Sequence, residues 1–435
     1  MGNLKIYPRK LSGEVKIPPS KSMAHRAVIC AALGDGISKV TNIDYSDDII
    51  ATIEAMSSLG AKITKKEDYL EVYGINSPEN IEAISVKDER TIDCNESGST
   101  LRFLVPIAAL FEGVNRFVGR GNLGKRPLDT YYKIFDEQGI KYSYKEGILD
   151  LKTEGKLKAG EFKMEGNISS QFITGLLFTL PLLDGDSKII ITTEMESKGY
   201  IDLTLSAIKD FGVEIINNNY EEFIIKGNQI YKSIDYRVEG DYSQAAFFFC
   251  ADALSNDVVL NDLKLDSLQG DKEVIDILER MGLKLNSKND GLIGNVSDGL
   301  KATVIDGSQC PDIIPVVSLV AALSQGTTEI INAGRLRIKE CDRLAAVTSE
   351  LNKLGAKITE KEDGLIIEGV KELKGNVEVW SHKDHRIAMT IAIASTMCSE
   401  PIVLKDYECV SKSYPEFWND FKNVGGVFDE WNVGK

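Results

Sequence analysis

The chain has 435 residues, more than a single growing core sustains, so two domains are expected. Hydrophobic residues make up 43% and charged residues 27%, the balance of a soluble globular protein. A net charge of −15 and a pI near 4.9 disfavour a protein built to wrap a nucleic-acid phosphate backbone.

In chain order, Leu4 to Ile17 reads as strand. Ser20-Lys21-Ser22 then opens an apolar run from Ala27 to Leu33, and Ile49, Ile53 and Met56 form an amphipathic face that ends at Leu59-Gly60. Ser97-Gly98-Ser99 opens Leu101 to Phe111; Leu128, Tyr131, Tyr132 and Phe135 follow, up to Gln138-Gly139. Ser169-Ser170-Gln171 opens Phe172 to Leu183, and Leu205 and Ile208 lead to Phe211-Gly212. Asp241-Tyr242-Ser243 opens Ala245 to Leu254, with Val274, Ile277 and Leu278 before Met281-Gly282. Pro311-Asp312 opens Ile313 to Leu323, with Leu344, Val347 and Leu351 before Leu354-Gly355. Lys383-Asp384-His385-Arg386 opens Ile387 to Met397, and Phe417, Trp418 and Phe421 lead to Val424-Gly425.

Neighbouring polar knots lie about 70 to 77 residues apart, which marks an internal repeat. A run apolar on most faces is a buried helix, and the i, i+3/i+4, i+7 spacing of the second stretch gives a half-buried one with Gly at its C′ position. Alternation after the glycine, clearest from Ala61 to Val72, adds a strand, turn and strand. The unit is therefore βαβ-like and occurs six times, three copies to a lobe. One lobe is expected over residues 20–239. The other is expected over 240–435 together with 1–19, so the N-terminal strand joins the later lobe. The hinge falls near Pro18-Pro19 and Glu239-Gly240. With the buried helices aligned, their N-termini converge on the cleft between lobes, the default ligand site.

Helix N-termini present free N–H groups and a positive dipole end to anions. Here they carry hydroxyls and cations as well. Lys21, Ser22 and Arg26 suit a carboxylate or phosphate, although an N-cap with a solvated face is the plain alternative. Gly98 allows close approach to the backbone. Gly124-Lys125-Arg126-Pro127 places two cations in a loop. In Arg335 to Arg343, Lys339 and Arg343 share a helical face with Glu340 beside them. Asp312 is either an N-cap or a base that accepts a hydroxyl proton. The seven cysteines are scattered, never Cys-x-x-Cys, and read as reduced cytosolic thiols; three histidines make a His-based metal site unexpected. No signal peptide is expected, since Met1 to Lys16 is polar, and the apolar runs stop short of membrane-spanning length.

The first knot, Ser169-Ser170-Gln171, Ser197-Lys198-Gly199-Tyr200, Lys339-Glu340-x-Asp342-Arg343, Asp384-His385-Arg386 and Lys412-Ser413-Tyr414-Pro415 together resemble the signatures of the EPSP synthase family, over nearly the whole chain and in order. The resemblance implies a two-lobed inside-out α/β barrel, each lobe three βαβ-type repeats around buried parallel helices. It implies transfer of the enolpyruvyl group of phosphoenolpyruvate to the 5-hydroxyl of shikimate 3-phosphate, in aromatic amino acid biosynthesis. No metal and no organic cofactor are implied. Ser22 and Arg26 would hold the shikimate carboxylate. Ser169, Ser170, Ser197 and Lys339 would hold its 3-phosphate, with Gln171 and Tyr200 beside the ring. Lys21, Arg126 and Lys412 would face the phosphate of phosphoenolpyruvate, with Gly98 and Gln171 against that ligand and Arg343 and Arg386 on its carboxylate. Asp312 would take the 5-hydroxyl proton, and Glu340, with Lys21, would handle the proton at the methylene carbon. Glyphosate, which occupies the phosphoenolpyruvate site in this family, is expected to inhibit. Where the family often has Asn before Trp-Arg, this chain has Arg335 before Leu336-Arg337, and Glu96 is unusual so near an anion site.

Two other readings compete. A sister enzyme that acts on a UDP-linked amino sugar usually carries a Cys before an Arg-Pro pair, and Gly119 to Pro127 has none. A non-enzymatic phosphoanion-binding scaffold would first lose Asp312, Glu340 or Lys21, and all three are present. Only small-molecule partners are expected, without nucleic acid or membrane, for a cytoplasmic monomer.

Overall fold

The computed structural model describes residues 2–78 and 89–431, so both outer ends of the expected later lobe, Met1 and Lys435, lie outside the described residues. It divides into two compact units, Met1–Pro18 with Gly240–Lys435, and Pro19–Glu239.

Twelve α-helices occur among the described residues, in alternating kinds. The buried kind comprises α1 (Lys21–Ala32), α3 (Gly98–Ala108), α5 (Ser170–Thr179), α7 (Tyr242–Ala253), α9 (Ile314–Ala322) and α11 (His385–Ser395). Every residue of α7, α9 and α11 is buried. The amphipathic kind comprises α2 (Asp47–Ser58), α4 (Asp129–Gln138), α6 (Lys198–Asp210), α8 (Glu273–Met281), α10 (Arg343–Lys353) and α12 (Phe417–Asn423). Each is followed within two residues by a glycine at positive φ: Gly60, Gly139, Gly212, Gly282, Gly355 and Gly425. A Cβ would strain that left-handed turn, so glycine ends the helix there. Polar residues start most of the buried helices. Ser20, Ser97, Ser169, Asp241 and Asp384 each accept a backbone N–H of the first turn through the side chain.

Six four-stranded sheets surround these helices, and all six share one pairing pattern: a parallel pair, then two antiparallel neighbours. In one of them Asp235–Arg237 lies parallel to Ile37–Thr41, which pairs antiparallel with Tyr69–Tyr73, itself paired with Lys62–Lys65. Its outer parallel strand thus comes from the far end of the Pro19–Glu239 unit. The N-terminal segment plays the matching part in the other unit, as two strands rather than one. Asn3–Tyr7 is a central strand between Ile402–Lys405 and Val427–Glu430. Ser12–Lys16 pairs parallel with Asp257–Asn261. Pro8 lies in the break between them; it has no N–H to donate to a ladder. At both crossings the strand belongs to one repeat and the helix that follows it to another.

Each unit has its own apolar core. Close packing inside one is visible at Gly175 of α5, where an added Cβ would lie 2.5 Å from both the Arg102 carbonyl of α3 and the Tyr131 hydroxyl of α4. Hydrogen bonds also join the first turns of the buried helices. Gln171 of α5 bonds Ser99 and Arg102 of α3, and Arg386 of α11 bonds the Ser243 carbonyl of α7. The N-termini therefore gather at one end of each unit, as parallel helices require.

Candidate active site

In the Pro19–Glu239 unit the polar groups collect around the first turns of α1, α3, α5 and α6. Lys21 opens α1 and its ammonium lies 2.9 Å from Asp48 in the first turn of α2. Arg26 is almost wholly buried. Its guanidinium donates to Thr204 Oγ1 at 2.9 Å, to the Ser22 carbonyl at 2.7 Å and to the Tyr200 carbonyl at 2.8 Å. Burial lowers its pKa to about 10, and those three hydrogen bonds go to a hydroxyl and two carbonyls rather than to a carboxylate. Arg26 so ties α1 to α6, and Ser22 and Tyr200 meet at it. Tyr200 also follows Ser197, a buried residue with φ of 54° at the start of α6. A non-glycine residue in that left-handed region is strained and is held by its surroundings.

Gln171 is fixed at both ends of its amide: Arg102 donates to its oxygen at 2.8 Å, and its nitrogen donates to Ser99 Oγ at 2.9 Å. Arg102 also donates to the Pro127 carbonyl at 3.3 Å and lies over the Phe172 ring at 4.9 Å. One buried cation therefore locates α5 and the loop that carries Arg126. Gly98 starts α3 directly under that loop: an added Cβ would collide with Arg126 Nη1 and stand 3.7 Å from Gln171 Oε1. Ser169 caps α5 through the Gln171 amide at 3.3 Å, and Ser170 is buried beside it. Glu96 packs against Gly121 on the same loop.

In the other unit, cations and carboxylates interleave. Arg343, whose side chain is 2% exposed, donates to Asp384 Oδ2 at 2.7 Å, Asp312 Oδ1 at 2.8 Å and Glu340 Oε2 at 2.8 Å. Lys339 lies 3.2 Å and Arg386 3.6 Å from Asp312, and Lys412 lies 4.0 Å from Glu340. Burial would raise the Asp312 carboxyl, but Lys339, Arg386 and Arg343 outweigh it and hold its pKa well below the ordinary value. Burial would likewise lower Arg343, yet Asp384, Glu340 and Asp312 hold it well above. Lys339 is lowered by burial, which its pairing with Asp312 offsets only in part.

Two expectations need correction. Lys339 and Arg343 do not share a helix. A 3₁₀ turn over Gly334–Ile338 ends at Lys339, which is extended, and α10 begins only at Arg343 with Asp342 as its N-cap. They converge on Asp312 through the break, not through a common face. Asp312 is not an N-cap either: that position in α9 is Ile313, with no side-chain cap bond. Lys339, Arg343 and Arg386 all lie within 3.6 Å of its carboxylate.

Several residues of these clusters escape a reading by motif. Asp48, Arg102 and Thr204 hold the expected residues from neighbouring helices. Asp271 accepts the Ser243 hydroxyl, and burial, ahead of its neighbour Asp312, raises its pKa to about 6. An acidic pair such as Asp47-Asp48 in a first turn is also the ordinary partner of a helix dipole, so nothing local marks it as a lysine's partner. Among the described residues no group of three or more His, Cys, Asp or Glu could hold a metal ion, and no helix is long and apolar enough to cross a membrane.

The family model for EPSP synthase (3-phosphoshikimate 1-carboxyvinyltransferase) matches residues 6–421. A 3-phosphoshikimate 1-carboxyvinyltransferase of Clostridium beijerinckii is 92% identical over 435 residues, covering 100% of each chain. One of Clostridioides difficile is 70% identical over 438 residues, again covering 100% of both. Among solved structures, an EPSP synthase from Acinetobacter baumannii is similar with a TM-score of 0.81 at 24% identity, over 99% of this chain and 100% of that one. The enolpyruvyl transferase NikO from Streptomyces tendae gives 0.80 at 16% identity, over 99% of each. At these identities the structural likeness speaks for the fold, the two-lobed inside-out α/β barrel.

Proposed function

The chain belongs to the EPSP synthase family, and on that premise we propose how its residues perform the reaction. The enzyme transfers the enolpyruvyl group of phosphoenolpyruvate to the 5-hydroxyl of shikimate 3-phosphate and releases phosphate. A carbon–oxygen bond forms at C2 of phosphoenolpyruvate as the hydroxyl loses its proton and the methylene carbon gains one. Loss of phosphate and of a methyl proton then restores the double bond. The step needs a base at the hydroxyl and an acid at the methylene.

One observation carries the assignment of roles: Asp312 and Glu340 occupy the cations that anionic substrates would claim. Arg343 and Arg386 suit the carboxylate of phosphoenolpyruvate, since a planar guanidinium matches a carboxylate in bidentate contact. Lys412, with Lys21 and Arg126, suits its phosphate, and Gly98 and Gln171 lie against the same ligand. Lys339, with Ser169, Ser170 and Ser197, suits the 3-phosphate. Ser22 and Arg26 receive the shikimate carboxylate, with Tyr200 beside the ring. As each ligand anion draws a cation away, the corresponding protein carboxylate loses its partner and its proton affinity rises. Asp312, a poor base while three cations hold it, becomes the base for the 5-hydroxyl. Glu340, released from Arg343, becomes able to carry the proton to the methylene. Substrate binding and activation of the acid and base are then one event. The seven free cysteines support a reducing, cytoplasmic setting, and we assign the enzyme as a monomer without metal or organic cofactor.

The test is release of phosphate from phosphoenolpyruvate that depends on shikimate 3-phosphate, with unphosphorylated shikimate as a very poor substitute because the phosphate ligands stay unpaired. Asp312→Asn should lower turnover by roughly 10²-fold or more. Full turnover in that variant would refute the role of Asp312.

A further inference from the structure

The segment that delivers Asp384 and Arg386 is strained. His382 and Lys383 are consecutive non-glycine residues at φ of 53° and 57°. Such a pair persists only where neighbours over-determine it. Ser381 helps from within: its carbonyl accepts the Asp384 amide at 2.9 Å and its hydroxyl the Lys383 amide at 3.1 Å. The stronger hold comes from α10. Glu350, 1% exposed, accepts the Trp380 amide at 2.9 Å, meets His382 Nε2 at 2.9 Å and pairs with Lys353 at 2.8 Å. The Trp380 and His382 rings lie 4.2 Å apart, which adds a second contact between the two sides of the turn. Two turns earlier on the same helix, Arg343 binds Asp384 at 2.7 Å, and Asp384 in turn accepts the Arg386 amide at 2.8 Å. Residues 380–386 are thus fastened to α10 at two points, one inside the charge cluster and one outside it.

We propose that Glu350, through His382 and the Trp380 amide, is a positioning residue that holds the strained turn and so sets Arg343, Asp384 and Arg386 for phosphoenolpyruvate. The inference rests on the reading above that the two arginines receive that substrate's carboxylate. Glu350 is 1% exposed and lies two turns of α10 from Arg343, so it acts through the turn and not on a ligand. Burial alone would favour its neutral form, but His382, Lys353 and the Trp380 amide outweigh burial and lower its pKa to about 2, so it works as a carboxylate at neutral pH.

The test uses the full chain. Glu350 Oε1 also accepts the Ser349 hydroxyl at 3.1 Å, so Glu350→Gln keeps the shape but offers an N–H to one of four donors, and the turn should relax. KM for phosphoenolpyruvate should rise by about 10-fold or more, while KM for shikimate 3-phosphate changes by less than about 3-fold. A merely structural role would reduce active enzyme without that split. His382→Ala removes only the ring, leaves α10 intact and keeps the question open to test if the first variant does not fold; about 3- to 10-fold in the same KM is expected. Lys383 is exposed, so Lys383→Gly removes steric strain and little contact. Added to Glu350→Gln it should recover part of the lost affinity. An active parent with unchanged KM for phosphoenolpyruvate in both single variants would overturn the inference alone. A parent that released no phosphate would overturn the functional reading beneath it.

Discussion

Gly98 and Arg126 form the most exposed joint of the candidate site to a single methyl group. A Cβ at Gly98 collides with Arg126 Nη1, the end of a flexible side chain, so α3 need not move and the guanidinium must. Gly98→Ala should therefore act through Arg126 as much as through direct crowding of a ligand. Displacing one charge-assisted contact costs about 1.5–3 kcal/mol, roughly 10- to 200-fold. KM for phosphoenolpyruvate should rise, and the longer glyphosate should lose more, so the variant gains tolerance. Inhibition curves for parent and variant at fixed phosphoenolpyruvate check this, and superimposable curves would remove Arg126 from the phosphate site. The residues legible in sequence are those at helix starts, where hydroxyls and cations beside free amides carry a physical meaning. Their holders were not legible. Asp48 and Arg102 are ordinary residues of α2 and α3 whose partners lie 27 and 69 positions away. The shared face expected for Lys339 and Arg343 failed for a local reason: the chain breaks at Lys339, which charge spacing alone does not reveal.

At the scale of elements, both helices of every repeat could be read because burial imposes a 3.6-residue period and a glycine stop. The strand order could not. Asp235–Arg237, Val304–Asp306 and Glu378–Trp380 have three residues each, too few for alternation to register. The buried helices also hide a titratable group that periodicity reads as a flaw. Asp252 in α7 is wholly buried and accepts the Val258 and Gly294 amides at 2.9 Å each. It joins the helix to its own sheet, since Gly294 lies in the strand Gly291–Val296. Burial raises its pKa to about 8 despite those two donors. The folded state then holds the proton more tightly than the unfolded chain, whose Asp titrates near 4. Its contribution is fully present below about pH 4 and is lost as pH rises towards about 8, with a slope of at most ~1.4 kcal/mol per pH unit. Asp252→Asn removes that titration. In urea unfolding, stability of the parent relative to the variant should fall between pH 5 and pH 8. Parallel pH profiles would show that Asp252 stays ionised in the fold.

At the scale of the whole molecule, the two crossings make the units unequal as folding pieces. The three sheets of the Pro19–Glu239 unit draw every strand from within it, between Ile37 and Arg237. Residues 19–239 expressed alone should fold cooperatively. Residues 240–435 alone lack Asn3–Tyr7, so Ile402–Lys405 loses a neighbour and Val427–Glu430 loses its sole strand partner among the described residues. They also lack Ser12–Lys16, the parallel partner of Asp257–Asn261. With the segment go Leu4, Ile6, Leu11, Val15 and Ile17, each no more than 2% exposed. Open strand edges over an unfilled core favour aggregation, so this fragment should be insoluble or unfolded. The remedy follows from register. Leu4 faces Glu430, and the Trp431 amide donates to the Asn3 carbonyl at 2.8 Å, so the two ends of the segment pair already meet. A chain that runs 240–435, then a short flexible linker, then 1–18 should restore both strands and unfold in one cooperative urea transition. Circular dichroism and urea titration of the three pieces decide it. If residues 240–435 folded as well without the segment as with it, the N-terminal strands would be accessories of that core rather than parts of it.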